Sequence, residues 1–336
     1  MKKEIEIIKR NVPLKSHCSF QIGGRAKFFA EPENYEELLN VLEFTRKNSL
    51  QPFFFGFGSN LLFPDTPDKA TCFISLKKMN SFQIEEEQLI TLCGMPLSML
   101  AVIGSLLGTE DFDFTYLLPG SIGAGLYINA RYFEREMSQI VREIKYIDLN
   151  DLNRGIQTIN VADCEYGYKI SIFQKKPWLI ISARLTLPEN AKISGVKLEV
   201  IRNFLQTESN YTASLSVFFD FFKELVVRLK TKNSQQIRLR EIEKQRNKYR
   251  HFEFPSAGSV FKNIRELGKP IGQIIDELGM KGTRSGDAMI SPYHGNIIIN
   301  LGKGRAIDVI NLIDKMSKSI FKAHGLRPET EITIVK

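Results

Sequence analysis

A glycine-rich turn directly after an apolar strand is the feature that most restricts how this chain can fold. The run from Pro52 to Phe55 is typical of a buried strand, and the turn Gly56 to Asn60 follows it at once. A helical period over residues 32–48 precedes the strand, so the segment predicts a strand-helix-strand opening. Consecutive backbone amides in such a turn suit an anion such as a pyrophosphate.

A second turn of this kind, Leu118 to Gly125, contains three glycines. Neither turn is a P-loop, because no Gly-Lys-Ser or Gly-Lys-Thr follows it, and neither carries the complete three-glycine dinucleotide fingerprint. One such turn alone is more often a hairpin. Two of them in one strand-rich region make a clamp for a dinucleotide more plausible.

The composition is that of a soluble globular protein. The chain has 336 residues, of which 43% are hydrophobic and 25% charged, and this length predicts two or three domains. No apolar run approaches the roughly 18–20 residues that cross a bilayer, and the N-terminus has no apolar signal segment. We therefore expect a cytoplasmic protein with no membrane partner.

The cysteines, histidines and charges argue against several kinds of site. The cysteines form no Cys-x-x-Cys pair and the histidines lack metal-ligand spacing, so we expect reduced thiols and no metal. The net charge is +8, yet the basic residues are dispersed, which disfavours a nucleic-acid partner. A positive field also attracts small phosphorylated or carboxylated ligands.

The pattern of elements predicts an α+β fold. Short strands dominate residues 70–185, with one helix at 96–107. Residues 189–250 are mostly helical in period and rich in charged and amide side chains. Within them, 217–227 is apolar nearly all round, which is typical of a helix that is buried or packed on a partner. The remaining predicted elements are helices at 270–278 and 305–324 and strands at 296–300 and 331–335, a small α/β sandwich.

The segment Pro255 to Asn263 places a hydroxyl, an ammonium and an amide within five residues. Ser259, Lys262 and Asn263 offer a proton donor, a cation and a bidentate hydrogen-bonding group. The glycine before Ser259 lets a ligand approach the backbone. On its own, such a segment is more often a turn with a solvated lysine.

Two further polar segments have a structural and a functional interpretation. Residues 166–173 alternate polar and apolar side chains, which is typical of an amphipathic edge strand. Glu329 follows Pro328 directly before the last predicted strand, and a surface carboxylate is the commoner fate of a glutamate.

Together these segments resemble the UDP-N-acetylenolpyruvoylglucosamine reductase family, also called UDP-N-acetylmuramate dehydrogenases. The resemblance runs in order over most of the chain. Pro255 to Asn263 matches the family's PSAGSxFKN almost letter for letter. The other matching segments are 13–24, 56–62, 118–130, 168–173, 279–300 and 328–329.

The resemblance implies a vanillyl-alcohol-oxidase-type FAD-binding domain and a C-terminal α/β substrate-binding domain. It implies that NADPH reduces FAD, that flavin N5 passes a hydride to C3 of the enolpyruvyl group of UDP-N-acetylglucosamine enolpyruvate, and that a serine protonates C2. The product, UDP-N-acetylmuramate, is a peptidoglycan precursor, which links the activity to cell-wall biogenesis, cell shape and cell division. The implied domains are 1–66 and 67–188 for FAD, a helical linker at 189–250, and 251–336 for the substrate.

The resemblance also assigns roles to individual residues. Ser259 matches the proton donor, and Glu329 matches a glutamate that helps to stabilise the enolic intermediate. Lys169 stands where the family has a catalytic arginine. Tyr168, Lys262 and Asn263 are assigned to the substrate. The predicted cofactor-binding residues are Gly56, Gly58, Ser59, Asn60, Leu61, Pro119, Gly120, Ser121, Gly123 and Asn129.

Several departures from the family pattern leave more than one function open. Lys169 keeps the charge of the arginine but lacks its planar fork, and Arg131 stands where a glycine is usual. An active, divergent reductase is the first hypothesis. A flavin-binding paralogue with another substrate or little activity is the second, and a non-catalytic protein that docks through residues 217–227 is the third. The oligomeric state stays open, with a monomer favoured.

Overall fold

The computed structural model describes residues 7–85, 87–132, 134–189, 193–207, 214–230, 233–248, 250 and 252–336. They form an α+β structure. Its helices are α1 (Tyr35–Lys47), α2 (Leu97–Leu107), α3 (Ile122–Tyr127), α4 (Gly195–Thr207), α5 (Leu215–Arg228), α6 (Asn233–Lys248), α7 (Ile271–Glu277) and α8 (Ala306–His324). Its strands are β1 (Ile8–Pro13), β2 (Arg25–Ala30), β3 (Gln51–Phe55), β4 (Leu61–Leu62), β5 (Thr71–Ser75), β6 (Phe82–Glu85), β7 (Gln88–Leu92), β8 (Arg131–Tyr132), β9 (Arg135–Glu136), β10 (Val141–Asp148), β11 (Gln157–Asn160), β12 (Trp178–Thr186), β13 (Ser256–Ser259), β14 (Arg284–Ser285), β15 (Ala288–Ile290), β16 (Ile297–Asn300) and β17 (Thr333–Ile334).

The first sheet has the strand order β1-β2-β5-β3 and contains the predicted strand-helix-strand opening. Strands β2 and β3 both pair in parallel with β5, and α1 connects them. Asn34 caps α1 by accepting a hydrogen bond from the Glu37 amide at 3.0 Å, the usual role of an asparagine before a helix. Strand β5 lies beyond the domain boundary predicted at residue 66, yet it is an interior strand of the first sheet.

The second sheet is antiparallel and has the order β11-β10-β12-β7-β6. Helix α3 packs on β12 and β7, and α2 lies close by. Every residue of α2 from Leu97 to Ser105 is buried. A helix that is apolar nearly all round requires such cover on more than one face, and α5 supplies part of it.

The third sheet, β13-β16-β15-β14, belongs to the C-terminal unit, where α8 packs on β14 and β15. The last strand, β17, leaves this unit and pairs in parallel with β4, with Thr333 opposite Leu61. The core of the C-terminal unit is continuous with that of the first sheet, since Phe63, Phe73 and Phe261 are fully buried in one cluster. The C-terminus is therefore held beside the first glycine turn.

The apolar segment 217–227 falls in α5 and is turned inward. Phe218 and Phe222 are buried, and the Phe218 ring lies 6.3 Å from that of Phe57 in the first glycine turn. The preceding helix is held by Asn80, whose amide donates to the Leu205 carbonyl at 3.1 Å. The apolar face of α5 thus covers the protein's own core, which removes the main support for a docking surface there.

Residues 166–173 do not form the expected edge strand. Gly167 and Ile170 make an isolated bridge that closes a turn, and a short 3-10 helix begins at Ile172. Lys169 lies within this turn at φ +59°, a left-handed conformation that is uncommon for residues other than glycine. The alternating pattern of the sequence therefore arises from a turn whose side chains point in different directions.

Candidate functional site

The two glycine turns meet. Ser59 Oγ donates a hydrogen bond to the Pro119 carbonyl at 3.1 Å. A Cβ atom at Gly56 would lie 2.3 Å from Ser121 Oγ, so the close approach requires a glycine at this position. Gly58 has φ +64°, and a Cβ atom there would lie 2.4 Å from the His17 carbonyl oxygen. The two glycine turns therefore lie in direct contact with each other.

The amides at the start of α3 are already engaged. Ile122 donates its amide to the Met95 carbonyl at 2.8 Å, and Gly123 donates to the Cys93 carbonyl at 2.7 Å. Gly123 sits against Cys93, because a Cβ atom there would lie 2.8 Å from Cys93 Cβ. The second turn is therefore fixed by the backbone, and these two amides are not available to an anion.

A largely apolar cavity of about 390 Å³ lies on the first glycine turn. We term it the aromatic cavity. Trp178 lines it and stacks on Tyr146, with ring centroids 4.2 Å apart. The residues that line it include Phe53, Phe55, Gly56, Gly58, Ser59, Asn60, Leu61, Ser121, Gly123, Tyr127, Phe173 and Trp178.

A second cavity of about 560 Å³ adjoins the first. We term it the serine cavity, because Ser256 and Ser259 line it. The two cavities share lining residues on both glycine turns, including Ser59, Asn60 and Ala124. The other residues that line the serine cavity include Pro119, Gly120, Arg131, Tyr132, Glu134, Tyr168, Lys169, Arg246, Gly258, Asn263, His294 and Glu331.

Ser259 is presented to the serine cavity at the end of β13. It pairs with Ile297 of β16, and Gly258 before it has φ +74°. The next residues are locked by Asn296, whose backbone carbonyl accepts from the Val260 amide at 2.8 Å and whose side chain accepts from the Phe261 amide at 3.0 Å. The hydroxyl of Ser259 is therefore held on a rigid support.

Lys169 reaches the same cavity from the other half of the molecule. Its Nζ lies 2.6 Å from Glu331 Oε1, and the two side chains are 14% and 19% exposed. Asn129 supports the lysine turn by donating to the Gly167 carbonyl at 3.1 Å. The predicted cofactor residue Asn129 is thus buried in a structural role and lines neither cavity.

Glu329, the glutamate singled out in the sequence, lies outside both cavities. Its side chain is 75% exposed and pairs with Lys262, Nζ to Oε1, at 2.7 Å. Lys262, predicted to bind substrate, is drawn to the same outer surface. Glu331 lines the serine cavity, and the Asn60 side chain donates a hydrogen bond to its backbone carbonyl at 2.9 Å. Only two positions separate these glutamates, but the chain bends at Glu331, and one carboxylate faces the cavity while the other faces solvent.

The other two predicted substrate residues line the serine cavity. The Tyr168 ring lies 5.5 Å from the Arg265 guanidinium carbon. The Asn263 side chain accepts a hydrogen bond from the Ile271 amide at 3.0 Å, so one of its polar atoms is committed to the start of α7. Its amide nitrogen is the group it can offer to a ligand.

Two arginines that line the serine cavity were not among the predicted site residues. Arg131 lines the cavity with Nη2 3.7 Å from Glu134 Oε1. Arg246 of α6 lines it as well, is 3% exposed, and lies over the Tyr132 ring at 4.1 Å. No sequence signal distinguished Arg246, because an arginine in a charged helix is typical of a solvated face.

The cavity histidine is neutral at physiological pH. Burial lowers the pKa of His294, and the positive charge of Lys281 lowers it further. Nδ1 of His294 accepts a hydrogen bond from the Asn296 amide at 3.2 Å. The imidazole therefore helps to shape the loop beneath Ser259. It carries no charge into the cavity.

Three further findings concern the thiols, the helices and the side chains that could bind a metal. Cys18, Cys72, Cys93 and Cys164 are all buried free thiols. Within the described ranges, no helix combines the length and apolarity that a bilayer crossing requires. Across the same ranges, no group of three or more His, Cys, Asp or Glu side chains is arranged for a metal ion.

The aromatic cavity and the glycine turns fit a flavin nucleotide. Gly56, Gly58 and Ser59 line the aromatic cavity, so the backbone of the first glycine turn forms part of its wall. This apolar cavity, lined by phenylalanines and Trp178, suits a flat ring system. The adjoining serine cavity then places a hydroxyl and an ion pair next to the same turns. Fold and site together fit an α+β flavoprotein oxidoreductase.

Comparison with known proteins agrees with this class. The family model "UDP-N-acetylenolpyruvoylglucosamine reductase, C-terminal domain" matches residues 249–335. The crystal structure of UDP-N-acetylenolpyruvylglucosamine reductase from Thermus caldophilus is similar over 98% of this chain and 99% of that one, with a TM-score of 0.70 and 24% identity. This likeness confirms the predicted fold.

Full-length relatives carry the same name. The UDP-N-acetylenolpyruvoylglucosamine reductase of Treponema denticola is 30% identical over 328 residues, covering 95% of this chain and 91% of the relative. That of Borreliella burgdorferi is 28% identical over 333 residues, covering 99% and 96%. The chain belongs to the UDP-N-acetylenolpyruvoylglucosamine reductase family.

Proposed function

We propose that this protein reduces the enolpyruvyl group of UDP-N-acetylglucosamine enolpyruvate to give UDP-N-acetylmuramate, a step of peptidoglycan precursor synthesis, with FAD as cofactor and NADPH as reductant. The observation that carries the proposal is the convergence of Ser259, Lys169 and Glu331 on one cavity that shares its wall with the flavin-type cavity. The buried free thiols are in keeping with a cytoplasmic location.

The glycine turn at Gly56 to Ser59 would hold the flavin together with Ser121 and Gly123, which line the same aromatic cavity. When bound, the flavin supplies hydride chemistry with NADPH as the source of electrons. Reduction of the substrate's double bond takes up one hydride and one proton. The task of the surrounding residues is to orient the alkene, to exclude water and to supply that proton.

Ser259 holds the proton on Oγ. Its position at the end of a paired strand gives the hydroxyl a fixed direction, and a positioned donor is worth about 10²–10⁴-fold in rate. A serine hydroxyl is a weak acid, so it needs a nearby positive charge to stabilise the oxyanion left after donation. Lys169 is the ammonium on the same cavity wall.

Lys169 and Glu331 form the electrostatic part of the site. Negative charge develops on the enolpyruvyl carboxylate side as the hydride adds, and a fixed cation aimed at that charge lowers the barrier. Glu331 holds the ammonium in place through the 2.6 Å ion pair. We assign to Glu331 the role that the sequence suggested for Glu329, because Glu329 is exposed and engaged with Lys262.

The test is anaerobic flavin spectroscopy on the purified protein. We expect bound FAD, bleaching of the flavin by NADPH, and recovery of the flavin absorbance when UDP-N-acetylglucosamine enolpyruvate is added, with UDP-N-acetylmuramate detected by mass. UDP-N-acetylglucosamine, which lacks the double bond, is the matched control and must leave the flavin reduced. A yellow protein that NADPH reduces but that the enolpyruvyl substrate does not reoxidise contradicts the proposal.

A flavoprotein acting on another substrate is the second candidate. The observation that favours it is Arg131, a large cation that lines the serine cavity where the family pattern has glycine. A paralogue of this kind binds FAD tightly but shows no thermal shift with the enolpyruvyl UDP-sugar. A shift of several degrees with that ligand, and none with an unrelated sugar phosphate, excludes it.

A further inference from the structure

Arg246 is a buried cation that points into the serine cavity from α6. The residue is 3% exposed and lines the cavity. Helix α6 belongs to the segment that the sequence presented as a linker, so the cavity receives a charge from a part of the chain with no assigned role. Burial lowers the pKa of the guanidinium to about 10, which leaves it charged at neutral pH.

Two of the three guanidinium nitrogens of Arg246 make no hydrogen bond to the described residues. Its Nε and Nη2 atoms are buried and have no hydrogen-bond partner among the described residues. The Tyr132 ring at 4.1 Å supplies a cation-π contact to the guanidinium face. That contact covers one face of the guanidinium group, and the residue lines the serine cavity.

The other two cavity cations differ from Arg246 in this respect. Lys169 is neutralised by Glu331 at 2.6 Å, and Arg131 lies 3.7 Å from Glu134. No carboxylate of the described residues lies within ion-pair distance of Arg246. A buried charge without a partner is strongly unfavourable, so the arrangement is that of a site which an anionic ligand completes.

The chemistry of the donor selects the anion. A guanidinium group is planar and presents paired N–H donors that match phosphate oxygens better than an ammonium does. Arg246 lines the serine cavity with Ser259, and it is absent from the wall of the aromatic cavity. An anion in contact with Arg246 therefore belongs to the ligand of the serine cavity.

We propose that Arg246 binds the diphosphate of the UDP-sugar and so positions the substrate for Ser259, an inference that rests on the proposed function. The segment 189–250 then has a role in recognition: α6 carries the cation, while α5 covers the first glycine turn through the Phe218–Phe57 contact. The anchored diphosphate fixes the distance of the sugar end of the substrate from the flavin wall of the cavity.

The experiment measures the affinity of the flavin-loaded protein for UDP by titration calorimetry, with Arg246→Gln as the variant. We expect UDP to bind at least about tenfold more weakly, because charged hydrogen bonds to phosphate are lost. Arg246→Lys keeps the charge without the fork and should fall between the two. Arg240→Gln removes the same charge from an exposed position of the same helix and should bind UDP like the wild type.

The flavin content of the variants shows whether Arg246 binds the diphosphate of UDP or the pyrophosphate of FAD. The Arg246 variants should keep wild-type FAD occupancy. An unchanged UDP affinity in Arg246→Gln, a loss confined to FAD occupancy, or a wild-type protein that does not bind UDP overturns the inference. If Arg246→Gln does not fold, the comparison of Arg246→Lys with the wild type decides. Because UDP binding needs no turnover, a protein that binds UDP through Arg246 but does not reduce the enolpyruvyl substrate sinks the proposed function alone.

Discussion

Lys169 and Glu331 form an ion pair across the serine cavity, with Nζ and Oε1 2.6 Å apart. The lysine comes from a turn after the second glycine turn, and the glutamate comes from the C-terminal residues before β17. Asn60 of the first glycine turn fixes the Glu331 carbonyl. Three distant parts of the chain thus meet at one pair, and the proposed site is built from both halves of the molecule.

The two glutamates near the C-terminus give a matched test of this arrangement. We expect Glu331→Gln to lower turnover about 10²-fold, because the ammonium of Lys169 loses the charge that holds it in place. Glu329→Gln should stay within about twofold of the wild type, since that side chain is exposed. Steady-state NADPH oxidation checks both variants, and equal losses in the two would show that Glu331 has no special role.

Lys169 can be tested by replacing it with arginine, the residue that the family pattern has at this position. We expect Lys169→Arg to leave turnover equal or higher, because arginine keeps the charge and offers a planar fork to the Glu331 carboxylate. Lys169→Met, similar in length but uncharged, should lose most of the activity. The measurement is kcat with the enolpyruvyl UDP-sugar. A large loss in Lys169→Arg would mean that the lysine does something an arginine cannot.

Ser259 should affect only one half of the reaction. In Ser259→Ala we expect reduction of the flavin by NADPH at the wild-type rate and reoxidation by the enolpyruvyl substrate slowed about 10²–10⁴-fold, because the proton donor is missing. Stopped-flow absorbance follows both steps separately. Ser285→Ala, in β14 outside both cavities, is the control, and a similar slowing there would implicate stability rather than proton transfer.

The contact between the glycine turns predicts a loss of flavin when one glycine is filled. Gly56→Ala would place Cβ 2.3 Å from Ser121 Oγ, so the turns must separate, and we expect lower FAD occupancy in the purified protein. Gly195→Ala adds the same methyl group where nothing lies within 4 Å and should keep full occupancy. The ratio of flavin to protein absorbance reports the result. Full occupancy in Gly56→Ala would contradict the close approach.

His17 makes the stability of the fold depend on pH. Burial, reinforced by the charge of Lys77, lowers the pKa of His17 from 6.5 to about 4. Between these values the unfolded chain binds more protons than the folded one, so stability is present above pH 6.5 and is lost as pH falls towards 4. The difference amounts to at most about 3 kcal/mol.

Denaturant unfolding between pH 4 and 8 measures this effect. His17→Asn cannot take up the proton and should flatten the decline over the same window. His324→Asn, a change at an exposed residue at the end of α8, should retain the wild-type slope. A wild-type curve that stays level between pH 6.5 and 4 would exclude His17 as the cause.

The local elements were predictable because each rests on neighbours in sequence. Helix α8 follows from the apolar period within residues 305–324. The predicted helix at 270–278 matches α7, and the strand at 296–300 matches β16. The turn at 166–173 was not predictable from alternation, since a strand and a turn can present the same pattern of polar and apolar residues. The sequence predicted that the apolar segment in α5 packs against something, but it did not show that the contact is the first glycine turn.

The candidate site also has a part that the sequence predicted and a part that only the tertiary structure decided. The sequence by itself determined the family, the two glycine turns and the serine segment, because short ordered motifs carry the backbone conformation that their glycines allow. Only the tertiary structure decided which glutamate faces the cavity, since Glu329 and Glu331 differ by two residues and the docking of β17 on β4 sets their directions. It alone brought Arg246 to the wall of the serine cavity, because burial of a charge depends on contacts between segments far apart in the chain.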